Sequence, residues 1–157
     1  MATTTTISQV GEFPLISSMV GDLTMGQAVT LGPGDDGAVF QVDGSAVVST
    51  DVLVEEVHFR RRWSTATDVG RKAVAVNVSD IEAMGAVPVA LVVGFSAPGD
   101  LPASWAREFM TGMAAESQKA GVSVVGGDTT GGPVVSIAVT VIGQTAGMAP
   151  VRRDGAV

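Results

Sequence analysis

The hydrophobic pattern of this chain changes between helical and strand-like spacing, and it predicts three helices. Apolar residues recur at helical intervals in residues 11–20, 67–84 and Ala103–Ala120. Thr67 or Asp68 is suited to begin the second helix, and Gly85 to end it. Pro102 suits the first turn of the third helix, and Gly121 its end.

The remaining apolar segments are short and rich in β-branched residues, which predicts strands. These segments are residues 38–42, 45–50, Val87–Ala97, 122–125 and 134–142. Asp43-Gly44 is expected to close a hairpin between the first two, and a glycine-rich loop to separate the last two. The element order predicts an α/β (α+β) sandwich, with a mixed, largely antiparallel sheet and helices on one face. Residues 1–10 are polar and threonine-rich, and we expect a disordered tail before a domain at 11–157.

Composition excludes several classes of protein. The chain has no cysteine, so it carries no disulfide, thiolate zinc site or cysteine nucleophile. The net charge of −7 argues against a nucleic-acid partner. No signal peptide is recognisable at the start, and the longest apolar run, residues 86–95, falls short of the ~20 residues that span a bilayer. We therefore expect a cytoplasmic protein with no membrane partner.

Two phosphate-binding motifs are rejected. Gly32-x-Gly34-x-x-Gly37 has the spacing of the dinucleotide-binding fingerprint, but a strand-like segment follows it where that fingerprint requires a helix. The chain also lacks the G-x-x-x-x-G-K-[ST] sequence of a P-loop.

Four acidic clusters are the candidate chemistry. They are Gly34-Asp35-Asp36, Ser49-Thr50-Asp51, Asn77-x-Ser79-Asp80 and Gly126-Gly127-Asp128-Thr129-Thr130. Each Asp has an ordinary structural explanation in turns and helix caps, but four such clusters in one domain also match the oxygen ligands of Mg²⁺. Clustered carboxylates repel phosphates unless cations lie between them, so a phosphate site here requires several Mg²⁺ ions. We expect Asp36, Asp51, Asp80 and Asp128 to line one cleft.

His58 is the only histidine in the chain and follows Glu55-Glu56. A lone histidine more often packs and hydrogen-bonds than acts as a catalyst, and the acidic pair is expected on a solvated edge. By itself, this segment indicates no activity.

At these residues the sequence resembles thiamine-monophosphate kinases, in the superfamily of aminoimidazole ribonucleotide synthetase and selenophosphate synthetase. Residues 31–39 resemble the family's G-D-D-A-A-V, and residues 48–59 its S-T-D-x-L-V-x-x-x-H-F. Residues 70–86 resemble K-A-x-A-V-N-L-S-D-x-A-A-M-G-A, and residues 125–130 match G-G-D-T-T. The likeness extends from about Gly11 to the last residue. One departure is Gly131, where the family often has a basic or polar residue.

The resemblance implies a role for each matching residue. Magnesium ligands would be Asp36, Ser49, Thr50, Asp51, Asp80 and Asp128, with Asp51 and Asp128 as the catalytic core. Nucleotide contacts would come from Gly127, Asp128 and Arg153, and His58 would contact the thiamine phosphate. Family members carry a second domain that this chain does not include, and they form homodimers through the sheet.

The implied reaction transfers phosphate from ATP to thiamine monophosphate, with Mg²⁺ as cofactor. Two alternatives stay open at this point: a sister ATP-dependent synthetase of the superfamily, and a non-catalytic module that dimerises and binds metal and nucleotide.

Overall fold

Two long helices cover one face of a four-stranded sheet in the computed structural model, which describes residues 5–21 and 23–155. The helices are α1 (Ile7–Val10), α2 (Glu12–Val20), α3 (Ala66–Ala83) and α4 (Ala103–Ala120). The strands are β1 (Val29–Leu31), β2 (Val39–Phe40), β3 (Ala46–Val54), β4 (Val87–Ala97), β5 (Ser123–Gly131) and β6 (Ser136–Gln144). In the described ranges, no helix has the length and apolar character needed to cross a membrane.

The sheet has the strand order β3-β6-β4-β5. β6 pairs antiparallel with both β3 and β4, while β5 pairs parallel with β4. The predicted α/β sandwich with a mixed, largely antiparallel sheet and helices on one face is therefore confirmed. The order leaves β3 and β5 as the two edge strands.

The main core lies between the sheet and the pair α3 and α4. Alternate residues of β6, namely Ile137, Val139 and Val141, are fully buried there, as strand periodicity requires. The two helices cross closely at Gly70 and Gly112. A Cβ on Gly70 would collide with the backbone carbonyl of Phe109, and one on Gly112 with that of Thr67.

The opposite face of the sheet is only partly covered. β1 and β2 form a separate antiparallel pair, and a second small core lies between this pair and Val89, Ala90 and Val125. Nearer to β3, the valines at 48, 52 and 92 are exposed by 62%, 46% and 39%. We call this region, defined by Val48, Val52 and Val92, the open face.

The predicted hairpin between residues 38–42 and 45–50 is wrong. β2 pairs with β1, and β3 pairs along its whole length with β6. The turn at Asp43 and Gly44 is held instead by the end of β6: Asp43 N–H donates to the Gln144 side chain, and Ser45 N–H to the Thr145 hydroxyl. These contacts turn the chain away from β2.

Two other expectations differ from the structure. The predicted glycine-rich loop after Val125 is strand, because β5 continues to Gly131 alongside β4. Residues 5–10 belong to the expected disordered tail, yet they include α1, and Ile7 N–H donates to Leu101 O at 2.9 Å. Residues 1–4 of that tail lie outside the described residues.

Candidate functional site

A cleft of about 660 Å³ lies along the outer side of β5. Apolar side chains of α2, including Phe13 and Ile16, form one wall, and the loop at 33–38 forms another. Asp36 from this loop and Asp128 from β5 line the same cleft. The structure thus brings two of the four predicted aspartates to one cleft, although they are 92 residues apart in the sequence.

Gly127, the predicted nucleotide contact, also lines this cleft. A Cβ at Gly127 would lie against the backbone carbonyl of Val93, whereas a Cβ at Gly126 would meet open space. Glycine at 127 is therefore required by strand packing alone. Because glycine has no side chain, any contact of Gly127 with a ligand is made by its backbone.

A second polar group lies where β3 meets α3. The Ser49 hydroxyl donates to Asp80 Oδ2 at 2.9 Å, and Asp51 N–H donates to Asn77 Oδ1 at 3.2 Å. Alternation along β3 directs Ser49 and Asp51 to the helix side, as it does Leu53 in the core. This group holds together Ser49, Asp51 and Asp80, three of the residues that the resemblance assigns to magnesium.

The two polar groups are separate, so the expectation of one cleft shared by four aspartates is wrong for a single chain. Asp51 is on β3 and Asp128 on β5, at opposite edges of the sheet. Three strand spacings of about 4.8 Å put them roughly 14 Å apart. Within residues 5–21 and 23–155, no three carboxylate or imidazole groups are close enough to bind one ion.

The donor chemistry of both groups nevertheless fits Mg²⁺. This ion prefers oxygen ligands and is commonly held by one or two carboxylates, with waters and substrate phosphates completing its shell. Asp36 and Asp128 line one cleft; at the other group, Asp80 accepts from Ser49, and Asp51 lies two residues along β3 on the same side of the strand. Each group therefore offers two carboxylates. Either pair suits an ion that also binds phosphate.

His58 lies in a tight turn after β3 and lines a small depression of about 210 Å³. Its Nδ1 accepts the Val54 backbone N–H at 3.0 Å, and Lys72 Nζ donates to its carbonyl at 2.6 Å. Because Nδ1 accepts this bond, Nε2 is the ring nitrogen left to donate to a ligand. His58 therefore presents an N–H donor outside the turn.

The acidic pair before His58 is only partly on a solvated edge, which corrects the expectation. Glu55 is 9% exposed; its carboxylate pairs with Arg61 at 2.5 Å and accepts Val135 N–H. Glu56 is exposed and has a left-handed φ of 66°. The guanidinium of Arg62, assisted by Arg60, holds the pKa of Glu56 below its ordinary value. These ion pairs fix the turn that carries His58.

The remaining predicted residues are placed elsewhere. Thr50 lies on the side of β3 opposite Ser49, where its hydroxyl donates to Val139 O and accepts from Thr140. Arg153 is exposed in the short 3₁₀ turn Arg153–Gly155. The preceding segment is attached to the end of α3, where Val151 N–H donates to Met84 O at 2.8 Å.

The sequence of this chain matches a known protein family over the residues of both polar groups. The family model described as AIR synthase related protein, N-terminal domain, matches residues 34–145. The chain belongs to this family. The matched range begins at the Asp35-Asp36 loop and includes both polar groups and His58.

Individual members of the family are similar over most of the chain. The thiamine-monophosphate kinase of Mycobacterium tuberculosis H37Rv is 49% identical over 152 residues, which are 96% of this chain and 46% of that protein. The crystal structure of thiamine-monophosphate kinase from Stenotrophomonas maltophilia K279a has a TM-score of 0.72 at 34% identity, covering 88% of this chain and 42% of the other. A structure of AaThiL complexed with AMPPCP and TMP has a TM-score of 0.61 at 28% identity, covering 90% and 44%. The chain spans about half the length of the curated relatives it matches.

Proposed function

We propose that this chain is the N-terminal, magnesium- and nucleotide-binding domain, residues 11–157, of a thiamine-monophosphate kinase. The whole enzyme transfers the terminal phosphate of ATP to thiamine monophosphate, giving thiamine diphosphate, in the cytoplasm. The observation that carries the proposal is the meeting of Asp36, Gly127 and Asp128 in one cleft, in a chain with 49% identity to a thiamine-monophosphate kinase.

The cleft beside β5 is the proposed nucleotide site. Mg²⁺ bound there neutralises charge between carboxylates and phosphates. Asp36 and Asp128 would hold it, and the backbone of Gly127 allows close approach of the nucleotide. The family resemblance adds a contact from Arg153, which lies outside the lining of this cleft, to an ATP phosphate. The apolar wall of α2 excludes water from one side of the cleft.

The group at β3 and α3 is the proposed second metal-binding region. Ser49, Asp51 and Asp80 would supply its side-chain ligands, and Asp51 acts with Asp128 as the electrostatic core of the reaction. The family resemblance adds Thr50 to this set, but its hydroxyl lies on the opposite side of β3. His58 donates its Nε2–H to an oxygen of thiamine monophosphate. No general base is required, because the attacking phosphate is mostly ionised near pH 7, its second pKa being about 6.

A homodimer formed through the open face completes the proposal. Val48, Val52 and Val92 expose apolar area on a sheet face that no helix covers within residues 5–21 and 23–155. Contiguous exposed apolar surface of this kind is a common feature of interfaces.

The test uses the full-length enzyme with Mg²⁺, ATP and thiamine monophosphate, and measures thiamine diphosphate by chromatography. We expect product with wild-type protein and with the control Asp100→Asn, an exposed carboxylate before α4. Asp51→Asn and Asp128→Asn should each abolish turnover without loss of fold. Product from aminoimidazole precursors in place of thiamine monophosphate would favour the sister synthetase, and nucleotide binding without any turnover would favour the non-catalytic module. Either result contradicts the proposal.

A further inference from the structure

Asn77 is the only asparagine in the chain, and it is completely buried between α3 and the edge strand β3. Its amide nitrogen donates to Ala73 O, one helical turn earlier, at 2.8 Å. Its amide oxygen accepts the backbone N–H of Asp51 at 3.2 Å. Both ends of the side chain are therefore used, and the bond to Ala73 fixes which end faces β3.

The bond to Asp51 occupies a position where the sheet has no further strand. β3 is an edge strand, paired only with β6 among the described residues. Without Asn77, the Asp51 N–H would have no side-chain or backbone acceptor in the described part of the chain at this part-buried position. Asn77 supplies the acceptor that another strand would otherwise provide.

A second bond lies beside the first. Asn77 and Asp80 are three residues apart on α3 and so share one face of the helix. Ser49 and Asp51 are two apart on β3 and share one side of the strand. The Asn77–Asp51 and Asp80–Ser49 bonds thus form two adjacent links between the helix and the strand. Two links at different points fix the position of the strand along the helix as well as its distance from it.

We propose that Asn77 is a positioning residue: it holds the backbone of Asp51 so that the carboxylates of Asp51 and Asp80 face a shared cation and its phosphate. The inference rests on the metal-binding role proposed above for Asp51 and Asp80. A role in stability alone predicts a different outcome: metal affinity would then fall only in proportion to the loss of folded protein. Groups that orient metal ligands typically change metal affinity or activity 10–100-fold when they are replaced.

The decisive variant is Asn77→Thr in the full-length protein. A threonine hydroxyl can donate back to Ala73 O, but it is too short to reach β3. Val74→Ala is the matched control, because Val74 is also fully buried on α3 and has no polar contact with β3. Asn77→Ala is the second variant. If Asn77→Thr does not fold, Asn77→Ala takes its place in the comparison.

Two measurements separate the possible results. Amide hydrogen exchange of Asp51 by NMR reports the link itself, and water relaxation during titration with Mn²⁺ reports cation binding without turnover. We expect exchange at Asp51 to accelerate and Mn²⁺ affinity to fall about 10-fold or more in Asn77→Thr, with neither change in Val74→Ala at equal fraction folded.

Fast exchange at Asp51 with wild-type Mn²⁺ affinity would overturn the positioning role. Equal losses of Mn²⁺ affinity in Asn77→Thr and Val74→Ala would also overturn it, since both losses would then follow from reduced stability of the fold. If wild-type protein binds no Mn²⁺ and makes no thiamine diphosphate, the proposed function has failed, and the exchange measurement still shows whether the Asn77–Asp51 bond exists.

Discussion

Ser49 donates a hydrogen bond to Asp80 at 2.9 Å, although the two residues are 31 positions apart in the sequence. The bond joins the edge strand β3 to α3. Ser49→Ala removes the donor, and we expect a loss of about 0.5–1.5 kcal/mol in the free energy of unfolding. Urea denaturation measures this. The control is Ser79→Ala, whose hydroxyl bonds only to Val76 O of its own helix; equal effects of the two substitutions would contradict a link between the elements.

The sequence assigned Ser49 and Asp80 to one site but predicted no bond between them, and it ended the strand of Ser49 at residue 50, whereas β3 continues to Val54. Other elements followed their local pattern more closely. α4 and β4 have the predicted bounds, since strong periodicity and flanking prolines or glycines mark their ends. α3 begins after Thr65, two residues before the expected start, because Thr65 and Asp68 form a capping box. Such errors of one or two residues do not change which residues share a face.

The separation of Asp51 from Asp128 could not be predicted in the same way. It depends on β6, the last strand, entering the sheet between β3 and β4. Strand order is decided by long-range packing, and no feature near either aspartate encodes it. The same applies to β2, which pairs with β1, while the end of β6 holds the turn at Asp43.

The crossing of α3 and α4 requires glycine at positions 70 and 112. In an open helix, Gly→Ala is stabilising by roughly 1 kcal/mol. Here the added Cβ would strike a backbone carbonyl that cannot move independently, so Gly70→Ala should destabilise the protein by about 1–3 kcal/mol. Thermal unfolding measures this, with the exposed neighbour Thr111→Ala as control. A rise in the melting temperature of Gly70→Ala would show that the helices can separate at little cost.

The cap of α3 gives stability that depends on pH. The Thr65 hydroxyl donates to Asp68 Oδ2 at 2.7 Å, and with the Thr65 backbone N–H it holds the pKa of Asp68 below its ordinary value of 3.8. A lowered pKa means that the stabilisation is fully present above 3.8 and is lost as the pH falls through the folded-state value. Asp68→Asn should therefore lower the melting temperature at pH 7, and its difference from wild type should shrink below about pH 4. A difference that is constant between pH 7 and pH 2 would contradict this account.

The open face provides a test of the proposed homodimer. Val48→Glu and Val52→Glu place a charge on this face and should raise the dimer dissociation constant about 10-fold or more. Val57→Glu is the control, because Val57 is 73% exposed but lies in the turn that carries His58. Sedimentation velocity over a range of concentrations measures the effect. A wild-type protein that is monomeric at micromolar concentration, or equal effects of all three substitutions, would exclude the open face as the interface.

A polypeptide of these 157 residues should not by itself convert thiamine monophosphate to thiamine diphosphate. The relatives it matches are about twice as long, and its own candidate ligands form two groups rather than one cage. In-line transfer depends on holding two phosphates together, and a displacement of about 1 Å can reduce the rate on the order of a hundredfold. Binding of Mg-ATP should be weak, because the cleft offers only Asp36 and Asp128 as carboxylates from the predicted set. The purified polypeptide is incubated with Mg-ATP and thiamine monophosphate, and the products are separated by chromatography beside a no-protein blank. Thiamine diphosphate above the blank, absent with Asp128→Asn, would show that one domain assembles a working site.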